Sequence, residues 1–265
     1  MMGNITLGQY YPIESPIHRL DPRAKLIVTV LYMVLVFLVH SYIGYGAVAL
    51  LLLSGIALSR LPIKVVLRGL KPILFIVVFT FIINILFNQS GQELLKVWIL
   101  RITDEGLTGA IHLALRLVLL VMGTSLLTLT TTPIELTDGL ERVLKPLNLI
   151  RFPVHEMSMM MTIALRFIPT LAEEADRIMK AQAARGADFD TGGIMARAKG
   201  LIPLLVPLFV GSFRRADDLA TAMESRCYAG KKGRTSMKVY HLALADYIVL
   251  VLMAAAITAV CLLGV

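Results

Sequence analysis

The chain has 265 residues, of which 57% are hydrophobic and 17% are charged, and its mean hydropathy is +0.77. Because soluble domains are typically about 45–50% apolar and about 25% charged, this composition excludes an ordinary soluble domain and a disordered chain. The net charge is +8, and the two cysteines, Cys227 and Cys261, give neither a disulfide framework nor a metal-ligand spacing.

Two short membrane spans are predicted near the N-terminus, since a hydrocarbon core of ~30 Å needs about 20 apolar residues in a helix. The apolar run from Leu26 to Leu58 is interrupted at His40–Gly44, and we therefore predict spans over about 26–40 and 42–59. Asp21 and Pro22 mark the start of the first helix. Aspartate provides an N-cap acceptor, and proline at the first helical position has no N–H to satisfy.

Three further spans are predicted at 73–87, 107–129 and 242–264. The first of these is expected to begin near Lys71-Pro72. The second contains Arg116, which is costly in lipid and is therefore a functional candidate. Together with His112, one turn away, Arg116 is expected either to form a polar stripe against a neighbouring helix or to reach toward the outer surface.

The basic residues predict that the N-terminus is cytoplasmic. With five spans, segments 1–25, 60–71 and 131–241 lie on one side of the membrane and hold 3, 4 and 16 Lys or Arg residues. The loop 88–106 on the other side holds 2. Basic residues concentrate on the cytoplasmic side of membrane proteins, next to anionic lipid, which accounts for the net charge without nucleic acid.

Segment 131–241 is too polar to span a membrane and too apolar to be a linker. Helical stretches are predicted at about 134–147, 154–186 and 194–229, separated at Pro146, Pro153 and Gly192-Gly193. The second and third resemble each other at an offset of 41 residues, which aligns Ala175-Asp176 with Ala216-Asp217 and Arg185 with Arg226. We predict a repeat of two amphipathic helices; the alternative is chance similarity between two alanine-rich helices.

Each of these two helices has an apolar N-terminal half. Leu201–Phe213 is nearly uncharged, but with 13 residues and two prolines it is too short to span a membrane. Met157, Met159, Met160 and Met161 give the other helix a second apolar surface, and methionine adapts to irregular partners. Both surfaces are expected to lie at the membrane interface or against another membrane protein, the alternative being burial within this chain.

The charged halves end in two similar triplets, Ala184-Arg185-Gly186 and Ser225-Arg226-Cys227. One explanation is that a cation in the last turn complements the helix dipole, by about 0.3–1 kcal/mol. Because the neighbours are small and the arrangement occurs twice, we favour a second explanation. Each guanidinium would enter a narrow acidic groove of a partner and form a bidentate pair with a carboxylate.

The N-terminal stretch and the two triplets resemble one known family, the transmembrane T components of energy-coupling factor transporters. The similar residues are both triplets, Lys71-Pro72, Gly8-Gln9-Tyr10-Tyr11-Pro12 and Ser15-Pro16-Ile17-His18-Arg19-Leu20-Asp21-Pro22-Arg23-Ala24-Lys25. The resemblance covers essentially the whole chain. The Tyr-Tyr-Pro start is more similar to the shared, vitamin-type group than to the dedicated cobalt or nickel version, and Cys227 stands where alanine, glycine or serine is expected.

The resemblance implies a non-catalytic scaffold in a prokaryotic plasma-membrane importer of the ATP-binding-cassette class. Its partners would be two ATPase subunits, which bind the ATP, and a small membrane subunit that binds a vitamin or another micronutrient. Arg185 and Arg226 would each dock in one ATPase. The surface facing the substrate-binding subunit would include Met157, Met160, Met161, Leu201, Leu204, Leu205, Leu208 and Phe209.

Other chemistries have weaker support in the sequence. A Walker-type phosphate loop is absent, so the chain is not expected to hydrolyse ATP alone. Asp217-Asp218 could bind a Mg²⁺-diphosphate, but Arg214 precedes Asp218 at ion-pair spacing, as Glu173 precedes Arg177 and Asp176 precedes Lys180. The five histidines, at 18, 40, 112, 155 and 241, show no metal-ligand pair. No catalytic residue, metal or cofactor is predicted.

We therefore predict an all-α integral membrane protein with about five transmembrane helices and a long cytoplasmic coupling-helix region. Residues 1–130 would form the N-terminal surface segment and four spans, 131–241 the coupling segment, and 242–265 the last span. The predicted function is that of a coupling subunit of such an importer. The alternatives are a conventional import permease that forms the substrate pathway itself and, less favoured, an intramembrane prenyl-transfer-type enzyme.

Overall fold

The computed structural model describes residues 10–87, 93–97, 100–150, 152–187, 193–228, 230 and 242–263. These residues are almost entirely helical, which confirms the predicted all-α membrane class. The helices are α1 (Pro22–Leu38), α2 (Tyr42–Ser59), α3 (Ile63–Phe87), α4 (Asp104–Thr130), α5 (Pro133–Leu144), α6 (Val154–Ala184), α7 (Ile194–Ser225) and α8 (Leu244–Leu263), with a 3₁₀ turn at Lys145–Ile150. An antiparallel hairpin of β1 (Glu93–Val97) and β2 (Leu100–Thr103) lies between α3 and α4 and was not predicted.

Among the described residues, α2, α3, α4 and α8 are long and apolar enough to cross a bilayer. Helix α1 has 17 residues, which at 1.5 Å per residue gives about 25 Å. That is the lower limit for a transmembrane helix. The first predicted span, at about 26–40, therefore coincides with a helix, and its crossing of the membrane stays a prediction.

The start of α1 confirms the predicted cap. The Asp21 side chain accepts a hydrogen bond of 2.9 Å from the backbone N–H of Arg23, and Pro22 is the first helical residue. Helix α5 also begins at a proline, behind a reciprocal cap in which Thr132 and Glu135 each accept from the other's backbone N–H. It ends at Leu144, before the predicted break at Pro146 and three residues short of the predicted bound at 147.

The predicted start of the third span was wrong. Helix α3 begins at Ile63 rather than near Lys71-Pro72, and Pro72 lies inside it. Val66 is buried with the apolar cluster of the neighbouring helices, so packing continues the helix through the segment that carries the basic residues. Membrane helices tolerate an internal proline because neighbouring groups satisfy the freed carbonyl.

Helix α4 is the centre of the membrane-spanning part. It packs against α1, α2 and α3, while α8 packs against α1. Gly123 of α4 allows a close approach: a Cβ there would lie 2.2 Å from Cε1 of Tyr32 on α1. The Tyr32 hydroxyl donates a hydrogen bond of 3.0 Å to the Leu119 carbonyl, so the ring is fixed at both ends.

The chain divides into two compact units, each described by itself. One comprises Gly8–Val143 with Tyr240–Val265 and is called the membrane unit. The other includes Leu144–Val239 and is called the two-helix unit, since α6 and α7 are its long elements. The polarity of the sequence places boundaries at 130/131 and 241/242, and the division of the chain into those three segments stays a prediction.

Within the two-helix unit, α6 and α7 pack against each other in an antiparallel arrangement. Arg215 forms an ion pair with Glu174, and Gln182 Nε2 donates to the Pro203 carbonyl at 3.5 Å. Gly211 lies beside Glu174, with 3.3 Å between a Cβ placed there and the carboxylate. The C-terminal half of α6 is therefore joined to residues 203–215 of α7 by polar contacts.

Candidate functional site

The two predicted arginine triplets form helix ends of the same geometry. Arg185 is the C-cap residue of α6 with φ −91° and ψ 8°, and Arg226 is the C-cap residue of α7 with φ −91° and ψ 15°. The residue after each arginine has a left-handed backbone, with φ of 86° at Gly186 and 60° at Cys227. The two ends therefore agree residue by residue in their backbone conformation.

Both ends satisfy their last carbonyls through the same pair of hydrogen bonds. Ala187 N–H donates to the Gln182 carbonyl at 3.0 Å and Gly186 N–H to Ala183 at 3.0 Å. The corresponding bonds in α7 run from Tyr228 to Met223 at 3.0 Å and from Cys227 to Glu224 at 2.9 Å. This is the Schellman motif, in which a left-handed residue ends the helix. Sequence reasoning explained Gly186 only by its size, although a glycine after a helix is the usual signal of this motif.

The arginine side chains at these ends are available to a partner. All six residues of the triplets are exposed: Ala184, Arg185, Gly186, Ser225, Arg226 and Cys227. Within the described part of the chain, neither the Arg185 nor the Arg226 side chain makes a hydrogen bond or an ion pair. Each guanidinium can therefore offer all its donors to a carboxylate.

The charged halves behind the triplets are partly paired within the unit. Asp176 and Lys180 form the predicted ion pair, at 2.5 Å. The pairs predicted for Glu173 with Arg177 and for Arg214 with Asp218 are absent among the described contacts. Arg215, the neighbour of Arg214, instead crosses to Glu174 of α6, because the helix–helix contact brings that carboxylate within reach.

The apolar half of α7 exposes a continuous stripe, called here the α7 stripe. Its members recur at helical spacing and each is at least 43% exposed: Leu201, Ile202, Leu205, Val206, Phe209, Val210 and Phe213. The predicted contact residues Leu201, Leu205 and Phe209 belong to it. Leu204 is only 8% exposed and Leu208 is half-buried, so these two predicted residues lie on the other face of the helix.

The methionine surface of α6 is also exposed. Met157, Met160 and Met161 are between 39% and 58% exposed, and Ile168 continues the same surface by two further turns. Exposed apolar residues in such number mark a protein or membrane contact rather than a solvated surface. Which partner covers them stays a prediction.

A polar network in the membrane unit was not predicted from the sequence. The Lys25 ammonium is buried and donates to the carbonyls of His18 and Thr130, both at 3.0 Å. The sequence identifies Lys25 as a basic residue of the cytoplasmic side and as the last residue of the N-terminal motif, and neither feature indicates that it is buried. His18 in turn contacts Ser15 at 2.6 Å and the Tyr11 carbonyl at 3.2 Å. The N-terminal motif thus fixes the chain before α1 to the end of α4; Gly8 and Gln9 lie outside the described residues.

Asp246 extends this network to α8. Its carboxylate accepts from the backbone N–H of Asp21 at 2.9 Å and from that of Ala243 at 2.7 Å, and the residue is 1% exposed. It therefore joins the starts of α1 and α8. The sequence signal was an acid at the third position of a helix, which commonly reaches back to the cap.

Arg116 has a partner that neither sequence-based alternative named. Its guanidinium donates to the Val39 carbonyl at 3.2 Å and lies 5.5 Å from the centre of the Phe37 ring. It therefore caps the C-terminal end of α1, where the helix dipole favours a cation. His112 lies against the rings of Tyr42 and Tyr45 at the start of α2.

Asp217 and Asp218 are both exposed on α7. Among the described residues, no group of three or more His, Cys, Asp or Glu side chains could hold a metal ion. The expectation that the chain binds no metal stays a prediction.

A family model described as cobalt transport protein (CbiQ) matches residues 14–237. Among curated proteins, one from Thermosediminibacter oceani is 54% identical over 245 residues, which are 92% of each chain. One from Ruminiclostridium cellulolyticum is 56% identical over 238 residues, 90% of this chain and 89% of the relative. One from Bacillus subtilis is 48% identical over 238 residues, 90% of each. All three are named energy-coupling factor transporter transmembrane protein EcfT.

Proposed function

The chain belongs to the cobalt transport protein family, among the energy-coupling factor transporter transmembrane proteins, and we propose that it couples two ATPase subunits to a separate substrate-binding membrane subunit. Membership makes it a membrane-embedded component of a transporter. The proposal adds the partners and the direction of coupling. The ATPases would bind and hydrolyse ATP on the cytoplasmic side, and the other subunit would bind a vitamin or another micronutrient.

The observation that carries the proposal is the pair of matching helix ends. Two ends with the same cap, each presenting an unpaired exposed arginine, fit two copies of one kind of groove. A planar guanidinium recognises a carboxylate in one orientation through two parallel hydrogen bonds. Two ATPase subunits with an acidic groove each would provide such a pair of sites.

The construction of α6 and α7 supports mechanical transmission. The helices have 31 and 32 residues, or about 47 Å at 1.5 Å per residue. The Glu174–Arg215 ion pair joins the charged halves of the two helices, and the Gln182–Pro203 hydrogen bond joins the last turn of α6 to the apolar half of α7. Movement of an arginine end would therefore be passed to the other helix and to the exposed apolar halves, which would reposition the substrate-binding subunit.

The test is co-purification of the complex from membranes with the double variant Arg185→Glu, Arg226→Glu. We expect the recovery of ATPase subunits to fall more than tenfold, because each reversed charge would face an acidic groove. The matched control is Arg177→Glu, Arg214→Glu, which makes the same charge change at exposed, unpaired positions of the same two helices. The control should retain the ATPases and support uptake.

Retention of both ATPases by the Arg185, Arg226 variant would overturn the proposal. The set of proteins that co-purify with the unmodified chain distinguishes the three candidate functions from one another. A coupling subunit should co-purify with ATPases and a small membrane protein, a conventional permease with ATPases alone, and an intramembrane enzyme with neither. The identity of the small membrane protein then gives the substrate class.

A further inference from the structure

The membrane unit contains an apolar cavity of about 300 Å³. It lies between α2 and α8 and over the contact of α1 with α4. Its lining includes Val28 and Tyr32 of α1, Leu126 of α4, Leu51 of α2 and Leu252 of α8. The space is thus formed by helices of the membrane unit together with Ile17 and Leu20 of the segment before α1.

The cavity is confined to one end of these helices. It is lined by turns from the N-terminal parts of α1 (residues 24–32) and α8 (248–253) and from the C-terminal parts of α2 (51–58) and α4 (123–130). Since consecutive spans run in opposite directions, these turns all lie on the same side of the membrane. Arg60, which is exposed, and Lys64 lie at that end, and such residues face the anionic cytoplasmic leaflet.

The lining favours an apolar occupant over water or a polar solute. Its polar side chains, Lys25, Thr29, Tyr32, Ser54 and Thr130, all already donate hydrogen bonds to carbonyl oxygens of the protein. A water molecule needs two to four polar partners to remain in a cavity, and a polar solute pays a desolvation penalty without them. The same property argues against a pathway for a hydrophilic substrate at this place.

The rim of the cavity is continuous with the lipid-facing surface. Leu58 of α2 and Ile248 and Leu252 of α8 line the cavity and are 57%, 58% and 53% exposed. Because α2 and α8 are candidate membrane spans, the medium at these side chains is the acyl region of the bilayer. The molecule with access to the opening is therefore a phospholipid.

We propose that the cavity holds one acyl chain of a membrane phospholipid, inserted between α2 and α8. A volume of about 300 Å³ is at the lower end for small-molecule sites, so it accommodates a single chain. The chain fills space that side chains leave open, and its removal would leave an empty cavity between the helices. This site is independent of the proposed coupling function, because it uses no residue of α6 or α7.

The test is photolabelling of the full chain in nanodiscs made with phosphatidylcholine that carries a diazirine group on one acyl chain. Labelled residues are located by mass spectrometry. We expect label at the lining residues Val28 and Leu126, as well as at the outward-facing Leu50 and Leu53, which are 71% and 59% exposed. Absence of label at Val28 and Leu126 in the unmodified chain would overturn the proposal.

A variant that fills the cavity provides the second part of the photolabelling test. Gly55 lines the space, and a Cβ there would meet Leu126 at an ordinary 3.4 Å, so Gly55→Leu projects its side chain into the cavity. We expect it to lower labelling of Val28 and Leu126 at least fivefold and to leave Leu50 and Leu53 unchanged. The control Gly46→Leu adds the same group to α2 in open space. Equal labelling of Val28 in both variants would contradict the proposal. If Gly55→Leu fails to fold, the labelling of Val28 and Leu126 in the unmodified chain tests the proposal by itself.

Discussion

Cys227 occupies a backbone conformation that favours glycine. Its φ of 60° matches the 86° of Gly186 at the equivalent position of α6. A residue with a Cβ is strained there, by about 1–2 kcal/mol. Alanine and serine carry the same Cβ, so among the residues expected at this position only glycine would avoid this cost to the end of α7.

Exchanging the residues at these two positions should have opposite effects. Cys227→Gly should stabilise the last turn of α7, and Gly186→Ala should destabilise that of α6, each by about 1 kcal/mol. Amide hydrogen exchange of the last turns measures both changes. Gly186→Asn is the control, since asparagine tolerates a left-handed backbone, and it should exchange more slowly than Gly186→Ala. Equal exchange in all variants would contradict this explanation.

His18 makes the attachment of the N-terminal segment dependent on pH. Burial lowers the pKa of His18 below its ordinary value of about 6.5, against the opposing effect of the Tyr11 carbonyl. Nε2 donates to that carbonyl, and Nδ1 accepts from the Ser15 hydroxyl. Protonation of Nδ1 would remove this acceptor, so the folded state favours the neutral ring.

The sign of the pH effect follows from the lowered pKa. Above about pH 6.5 the ring is neutral in both states and contributes no dependence. As the pH falls below that value the unfolded chain takes up the proton first, so the free energy of unfolding decreases. We expect the thermal midpoint to fall more between pH 7.5 and pH 5.5 in the unmodified protein than in His18→Gln. An equal fall in both would exclude His18 as the cause.

At the scale of the elements, a single buried carboxylate joins two helices distant in the sequence. Asp246 accepts from the N–H of Asp21 and from that of Ala243, so it holds the starts of α1 and α8 together. Arg116 has a similar role at the other end of α1, where it binds the last carbonyls. The short α1 is thus fixed at both ends by polar side chains of other helices.

Removal of this carboxylate should be strongly destabilising. Asp246→Ala leaves two backbone N–H groups without their partner, and each costs about 1–3 kcal/mol. We expect the free energy of unfolding in detergent to fall by about 2–5 kcal/mol. Asp246→Asn should lose less, because its amide oxygen still accepts one bond. Asp217→Ala, at an exposed carboxylate of α7, serves as control and should be near neutral; a similar result for Asp246→Ala would contradict the role.

At the scale of the whole molecule, the proposed function assigns different partners to the two halves of α7. The arginine end would bind an ATPase, and the α7 stripe would bind the substrate-binding subunit. These contacts are chemically different, since one is an ion pair and the other is apolar. They should therefore be separable by mutation.

Phe209→Asp should release the small membrane subunit without releasing the ATPases. Phe209 is 62% exposed in the stripe, and a buried charge at an apolar contact should weaken binding at least tenfold. Ala220→Asp, exposed in the charged half of α7, is the control and should leave both partners bound. Quantitative mass spectrometry of the purified complex measures the ratio of subunits. Loss of both partners, or of neither, in Phe209→Asp would contradict the division of roles.

The sequence by itself determined the membrane class, the cap at Asp21-Pro22 and most helix bounds. It also located the long helices α6 and α7 and the arginines at their ends, together with the apolar stretch that contains the α7 stripe. These features are encoded locally, because hydropathy, helical periodicity, prolines and caps act over a few neighbouring residues.

Only the tertiary structure decided how distant parts of the chain meet. It extended α3 back to Ile63, gave Arg116 the end of α1 as its partner, joined Asp246 to Asp21 and turned Leu204 inward. Each outcome depends on which helices pack together. A side chain's burial and its hydrogen-bond partner are properties of that packing, so no pattern along one helix specifies them.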